Sequence, residues 1–249
     1  MSQASPRRSA GGRGTIVYGR NPVREALRGR RRVLRLWTTD QRDSQWRDEV
    51  AGEAPSPTRV SRAELERLCS SPDHQGVACE AEPYPYVDGE AVLAGEQALV
   101  VALDQVQDPQ NLGAICRSAE CAGAAGVVLP QRRSAEITAA VCRASAGAVE
   151  HLRVARVRNL ADFLARATER GAWVYGAEAG APTRYWEPDY RGRTVLVLGA
   201  EGSGLRPRVR AACDQLVSLP LEGAIGSLNV SAAAAVLIYE ALRQRAQHP

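Results

Sequence analysis

Three short stretches in the second half of the chain gather the residues able to do chemistry: "DPQNLGAICRSAE" at 108–120, "GAEGSGL" at 199–205 and "AIGSLNVS" at 224–231. They carry Asn111 and Arg117, then Glu201, then Ser227 and Asn229. A guanidinium stays protonated below pH ~12, so Arg117 is suited to stabilising or holding negative charge and is a poor proton acceptor. A carboxylate such as Glu201 serves as a plain turn residue, or, in an apolar pocket that raises its pKa, as a proton acceptor through water. Asn111, Ser227 and Asn229 are equally the residue types that cap helices.

Several familiar chemistries are excluded by what is missing. The chain has no lysine, so no G-x-x-x-x-G-K-[ST] phosphate loop exists. The dinucleotide fingerprint G-x-G-x-x-G is absent after the first strand of the regular repeat, and "GAEGSG" spaces its glycines as G-x-x-G-x-G after a late strand. No Ser or Cys nucleophile has a plausible His partner: His74 lies in an early loop, His151 at the opening of a strand, and His248 at the terminus. Six cysteines without a C-x-x-C pair and three scattered histidines indicate neither a zinc site nor a disulfide framework, and the thiols read as buried or inert.

The elements that must position the three loops follow from apolar patterning. From residue 97 strands and helices alternate: strand "ALVVAL", helix "LGAICRSAECAG", strand "GVVLP", helix "SAEITAAVCRASAG", then "ADFLARATERG", "WVYGAEA", "TVLVLG" and a last long helix through "SAAAAVLIYEALRQ". Near-continuous apolar strands between helices indicate an α/β fold with an open, mostly parallel sheet covered on both faces. Ligands in such folds bind outside the carboxyl ends of the strands, where the three polar loops fall. A smaller α/β unit precedes this one. It comprises "TIVYGRNPVREAL" as strand, Asn-Pro turn and helix, the strand "VLRLWTT", a helix in "SRAELERLCS" capped by Ser61 with Glu64 completing a capping box, and the strand "GVACEAE". The resulting division is a disordered Arg/Gly-rich tail at 1–14, the small unit at 15–82, a Pro-rich linker at 83–96 and the larger unit at 97–249.

The 45% apolar and 24% charged composition of these 249 residues is that of a soluble globular protein. Runs such as "AAAAVLIY" fall short of the ~18 apolar residues of a membrane span. The polar opening residues have no apolar core of a secretory signal, which makes the cytoplasm the default location. Residues 1–35 hold ten Arg against one Glu, so the net charge of +4 conceals a basic end and a mildly acidic remainder. Such a block is either a solvated tail or an arm that a nucleic-acid backbone attracts.

Taken together, "DPQNLGAICRSAECAGAAGVVLP", "LVLGAEGSGL" and "SLPLEGAIGSLNVSAAAAVLIYEALRQ" resemble the three ordered motifs of the SpoU (TrmH-type) RNA 2′-O-ribose methyltransferases. "YGRNPVREAL" and "DHQGVAC" resemble the small amino-terminal RNA-binding domain of the branch that methylates a guanosine of 23S rRNA. The resemblance spans residues 15–246. It implies S-adenosylmethionine as cofactor, a carboxy-terminal trefoil knot that binds it, a homodimer with the Ala-rich last helix at its interface, and no metal. It also implies that Arg117 is the catalytic arginine at the ribose 2′-OH, that Asn111 orients it or the RNA, that Glu201 fixes it or accepts a proton, and that Ser227 and Asn229 stand where substrate meets cofactor. The cofactor positions are Gly199, Gly202, Leu219 and Leu228.

In the small unit Arg20, Asn21, Arg24, His74 and Gln75 match RNA-binding positions, while turn formation and surface charge explain them equally well. Without a pair of aromatics of the kind that stacks on bases, recognition is expected to depend mainly on RNA shape and backbone. The expected reaction is methyl transfer to the ribose 2′-OH of a guanosine in 23S rRNA. The alternatives are the same reaction on tRNA or on another rRNA nucleotide, or a noncatalytic RNA-binding ribosome-assembly factor.

Overall fold

The computed structural model describes residues 14–39 and 55–247. Most of the basic tail expected at 1–14 lies outside the described residues. Two sheets organise the chain. The first joins β1 (Thr15–Tyr18), β4 (Val77–Ala81), β2 (Val33–Thr38) and β3 (Thr58–Arg59) in that spatial order, with β4 antiparallel to both neighbours and β3 parallel to β2. Helices α1 (Arg20–Arg28) and α2 (Arg62–Cys69) complete this unit. Ser61 caps α2 by accepting from the Glu64 amide at 3.2 Å, the forward half of the expected capping box. The Asn-Pro pair lies inside the first turn of α1 instead of forming a turn of its own, a place where the missing proline N–H costs no helical bond.

The second sheet has seven strands, all parallel among the described residues. They are β5 (Leu99–Asp104), β6 (Gly126–Pro130), β7 (Val154–Val157), β8 (Trp173–Ala177), β9 (Thr183–Arg184), β10 (Thr194–Gly199) and β11 (Gln215–Ser218), in the spatial order β7-β6-β5-β10-β8-β11-β9. Alternating side chains fill opposite faces. Leu99, Val101 and Leu103 join the core under α3 (Pro109–Cys121) and α7 (Val230–Ala246), whereas Val100 and Ala102 join the core under α5 (Leu160–Glu169) and α6 (Pro207–Ala211). Each fully buried valine or leucine among them contributes ~1.5–3 kcal/mol. The insertion of β10 between β5 and β8 makes the boundary between β5 and β10 the topological switch point.

The expected helix through "SAEITAAVCRASAG" is shorter in the structure. Only Ala139–Ala144 is helical (α4), because the preceding residues are held elsewhere: the Ala135 amide donates to the Val106 carbonyl and the Ile137 amide to the Tyr86 hydroxyl. It ends where Ala146 and Gly147 adopt positive φ ahead of the 3₁₀ turn Ala148–Glu150. Gly147 is required there twice over, since its φ is 90° and a Cβ would stand 2.6 Å from the Glu25 Cβ of α1. His151 sits at the end of that turn and pairs with Glu25 at 2.9 Å, so it does not open a strand.

The stretch expected as a linker is packed. Tyr84 is buried with its hydroxyl 2.6 Å from the Leu152 carbonyl, and Gly89–Val92 forms a 3₁₀ turn. Beside it Arg31 of the small unit, its side chain 1% exposed, makes a two-point ion pair with Glu150 (Nε to Oε2 2.8 Å, Nη2 to Oε1 2.6 Å) and donates to the Glu82 carbonyl. Burial alone would lower the guanidinium's pKa, but the Glu150 carboxylate holds it well above the ordinary value. Four of the cysteines are buried as expected, with burial pushing the Cys116 and Cys142 thiols up to about 12, but Cys121 is exposed and Cys213 partly so. Among the described residues no helix is long and apolar enough to cross a membrane.

Candidate active site

At the switch point, β5 ends in Asp104 and β10 in Gly199, directly paired across the sheet. Helix α3 leaves β5 with Asp108 as its N-cap, accepting from the Gln110 amide at 2.9 Å, and Pro109 as its first residue. The cap is therefore Asp108 and not Asn111, which frees the buried Asn111 amide for another task. Its Nδ2 donates to Glu201 Oε1 at 3.1 Å, and its Oδ1 accepts from Asn229 Nδ2 at 2.9 Å. Asn229 Nδ2 also donates to the same Glu201 oxygen at 2.6 Å. Meanwhile Asn229 Oδ1 caps α7, accepting from the Ser231 amide at 2.9 Å and the Ala232 amide at 3.3 Å. One closed triangle of side chains thus ties the starts of α3 and α7 to the loop after β10. Within it, Asn229 uses both amide hydrogens and its oxygen.

The loop after β10 folds back on itself, with the Gly204 amide donating to the Ala200 carbonyl at 2.9 Å. A Cβ at Gly199 would lie 2.1 Å from the Gly204 carbonyl carbon, so the close return of the chain requires glycine at 199. The loop's far end is fixed by Asp104, whose fully buried carboxylate accepts from the Arg206 backbone amide at 2.9 Å and from Arg206 Nε at 2.7 Å. Sequence reasoning missed this clamp, although a carboxylate closing the apolar run "ALVVALD" was a visible signal, because a buried charge requires a partner.

Around this loop lies a cavity of about 670 Å³, within the ~300–1,000 Å³ typical of small-molecule sites. All four expected cofactor residues, Gly199, Gly202, Leu219 and Leu228, line it, as do Glu201, Ser227 and Asn229. Glu178, unanticipated, lines it too and is held by Arg210 through bonds of 2.6 and 3.0 Å. Arg117 is not brought into this group. It is exposed on α3, its side chain makes no hydrogen bond or ion pair among the described residues, and it stands six residues beyond Asn111, roughly 9 Å along the axis and about a third of a turn round it. In the small unit Arg20, His74 and Gln75 line a second cavity, while Asn21 and Arg24 lie together on α1, Arg24 Nη2 donating to Asn21 Oδ1 at 3.2 Å.

A parallel sheet whose loops after β8, β10 and β11 enclose a cavity walled by glycines, leucines and a few polar side chains is an α/β protein built to hold a small organic cofactor. Comparison with known proteins names the family. Residues 98–239 match the SpoU rRNA methylase family, and residues 16–87 match the RNA 2′-O ribose methyltransferase substrate-binding family. The chain belongs to the SpoU rRNA methylase family of S-adenosylmethionine-dependent methyltransferases. It is 39% identical over 92% of its length to an uncharacterized tRNA/rRNA methyltransferase of Synechocystis, and 42% identical, also over 92%, to one of Mycolicibacterium gilvum. It spans 62% of the first relative's length and 76% of the second's. Among solved structures it resembles the SpoU methyltransferase AviRb of Streptomyces viridochromogenes in complex with the cofactor AdoMet (TM-score 0.77, 27% identity, 94% of this chain and 91% of that one). It also resembles an AdoMet-bound rRNA methyltransferase of Sinorhizobium meliloti (TM-score 0.79, 26% identity, 93% and 87%).

Proposed function

We propose that the protein transfers a methyl group from S-adenosylmethionine to the ribose 2′-OH of a guanosine in 23S rRNA. The observation that carries the reading is the Asn111–Glu201–Asn229 triangle, which joins residues from all three motif loops in one arrangement and whose Glu201 and Asn229 line the 670 Å³ cavity. The cavity fits the cofactor. Its leucine walls suit a neutral purine, and backbone groups at Gly199, Leu219 and Leu228 would hold adenine and ribose. When bound, S-adenosylmethionine supplies the electrophilic methyl carbon.

The chain's own residues align and stabilise. The Asn pair holds Glu201 Oε1, while Oε2 takes no hydrogen bond among the described residues and is free to meet a proton carried by water. Arg117, exposed and unpaired, is available to the ribose 2′-oxygen and its neighbouring phosphate, where a permanent cation stabilises the developing alkoxide. Alignment of the attacking oxygen accounts for most of the rate advantage. Arg20, Asn21, Arg24, His74 and Gln75 form the RNA-facing side of the small domain at 15–82, joined through 83–96 to a catalytic domain at 97–249.

We further infer a homodimer in the cytoplasm whose carboxy-terminal segment is threaded as a trefoil knot. Exposed Ile225, Leu228, Val236 and Tyr239, running from the last loop onto α7, support a self-association face. The relatives' designation as tRNA/rRNA methyltransferases keeps tRNA as the second substrate reading.

The deciding assay is transfer of labelled methyl from S-adenosylmethionine to protein-free large-subunit rRNA and, in parallel, to tRNA, with nuclease mapping. Label on a ribose-methylated guanosine of the rRNA, abolished by Arg117→Ala, is the expected result. Label on tRNA alone moves the substrate assignment. Cofactor binding with no label on either RNA or on assembly precursors makes the protein an assembly factor.

A further inference from the structure

A second cavity, of about 460 Å³, lies where the small unit meets α4. Residues 72–77 form one wall, with Arg20, Arg62 and Thr39 from the small unit and Arg143 from α4 around it. The loop is fixed from two sides before any ligand arrives. Gln75 Oε1 accepts from the Arg20 backbone amide at 2.9 Å, and Asp73 is ion-paired with Arg143.

His74 in this wall is 2% exposed. The Gly76 amide donates to its Nδ1 at 3.0 Å, which places the imidazole proton of the neutral ring on Nε2. That Nε2 has no hydrogen-bond partner among the described residues. Glu66 Oε1 stands 4.0 Å away, beyond hydrogen-bond reach, and is already engaged by Arg62 Nε at 3.1 Å. A buried donor without an acceptor is costly, and in a native cavity wall it calls for a ligand that supplies one.

Resting on the reading that RNA is the substrate, we propose that this cavity receives one unstacked nucleotide of that RNA. The base edge accepts a hydrogen bond from His74 Nε2, and the attached phosphate lies among the exposed guanidiniums of Arg20, Arg62 and Arg143. A phosphate alone fits the wall less well, because Asp73 adds a negative charge to it and because surface guanidiniums satisfy a phosphate without reaching His74. A base edge carries donors and acceptors side by side, so it suits His74 and Asp73 together, and guanidinium planes stack on bases. Recognition then includes an unpaired base, which goes beyond the shape-and-backbone recognition expected from the sequence. Since Arg31 and Glu150 pin the small unit to the large one, the cavity sits at a set distance from the methylation site and selects an RNA with an unpaired nucleotide at that distance.

His74→Asn isolates the proposed contact. The Asn Oδ1 replaces Nδ1 as acceptor for the Gly76 amide two residues on, preserving the turn, while the Nε2–H is removed. The first expected result is a rise of about tenfold in KM for the RNA, with kcat at saturating RNA and the calorimetric affinity for S-adenosylmethionine unchanged. The second uses wild-type protein labelled with ¹⁵N-histidine, in which the His74 resonance is identified by its loss in the variant. Mixed-sequence single-stranded RNA dodecamers shift that resonance, and duplex RNA and inorganic phosphate do not. An unchanged KM, a resonance unmoved by single strands, or an equal shift with phosphate or duplex overturns the proposal. The resonance experiment needs no turnover, so failure of the methyl-transfer assay and failure of this inference remain distinguishable.

Discussion

Asn229 combines two tasks in one side chain, capping a helix with its oxygen and holding Glu201 and Asn111 with its amide hydrogens. The two tasks separate by substitution. Asn229→Ala removes the cap, at a cost of ~1 kcal/mol, and should lower Tm by about 2–4 °C for a chain of this size. Glu201→Ala removes an exposed carboxylate that caps nothing and should leave Tm within about 1 °C of wild type. Methyl transfer should fall at least about 100-fold in both, an effect of the size seen when one pre-positioned polar group is lost from an active site. Calorimetric melting beside the labelled-methyl assay checks the pair. Equal melting losses with activity retained would reduce the triangle to a structural feature.

At the scale of elements, the loop after β10 is held at one end by the close return at Gly199 and at the other by the Asp104–Arg206 clamp. Gly199→Ala forces apart two backbone segments that pack without room for a methyl group, and backbone, unlike a flexible side chain, has little freedom to give way. The β10 strand and the helices keep their own hydrogen bonds, so the displacement is confined to the loop. Titration calorimetry should show S-adenosylmethionine affinity lowered at least about tenfold with an unchanged far-ultraviolet circular dichroism spectrum. Wild-type affinity would mean that the cofactor does not depend on the wall formed by this loop.

At the scale of the whole molecule, the Arg31–Glu150 pair is the buried ionic contact between the two units among the described residues, beside the more exposed Asp73–Arg143 and Glu25–His151 pairs. Arg31→Met leaves the Glu150 carboxylate buried without its cation, which costs ~3–5 kcal/mol. The double variant Arg31→Met with Glu150→Leu removes both charges and should recover most of that loss. Urea unfolding midpoints for the two single variants and the double variant measure the coupling. Additive losses would show that the contact between the units is held by other interactions, such as the Tyr84 hydroxyl on the Leu152 carbonyl or the Glu25–His151 pair.

The sequence by itself determined what depends on neighbours along the chain. Apolar runs specified the strands of the parallel sheet, Ser61 and Asn229 marked helix starts, and Gly- and Asn-rich segments after strands marked the loops that line the cavity. It erred where distant partners compete with local preference: the Ala135 and Ile137 amides go to Val106 and Tyr86 instead of extending α4, and Asp108 takes the cap that was one reading of Asn111. Only the tertiary structure decided which loops meet. Asn111, Glu201 and Asn229 are separated by 90 and 28 residues, and they touch because β10 inserts beside β5 while α7 packs against the same sheet face as α3. The pairing of Arg31 with Glu150 and the unpartnered nitrogen of His74 belong to the same class. Periodicity reports which face of an element is buried, whereas the partner of a buried polar atom is set by strand order and by how the units dock, which no local pattern encodes.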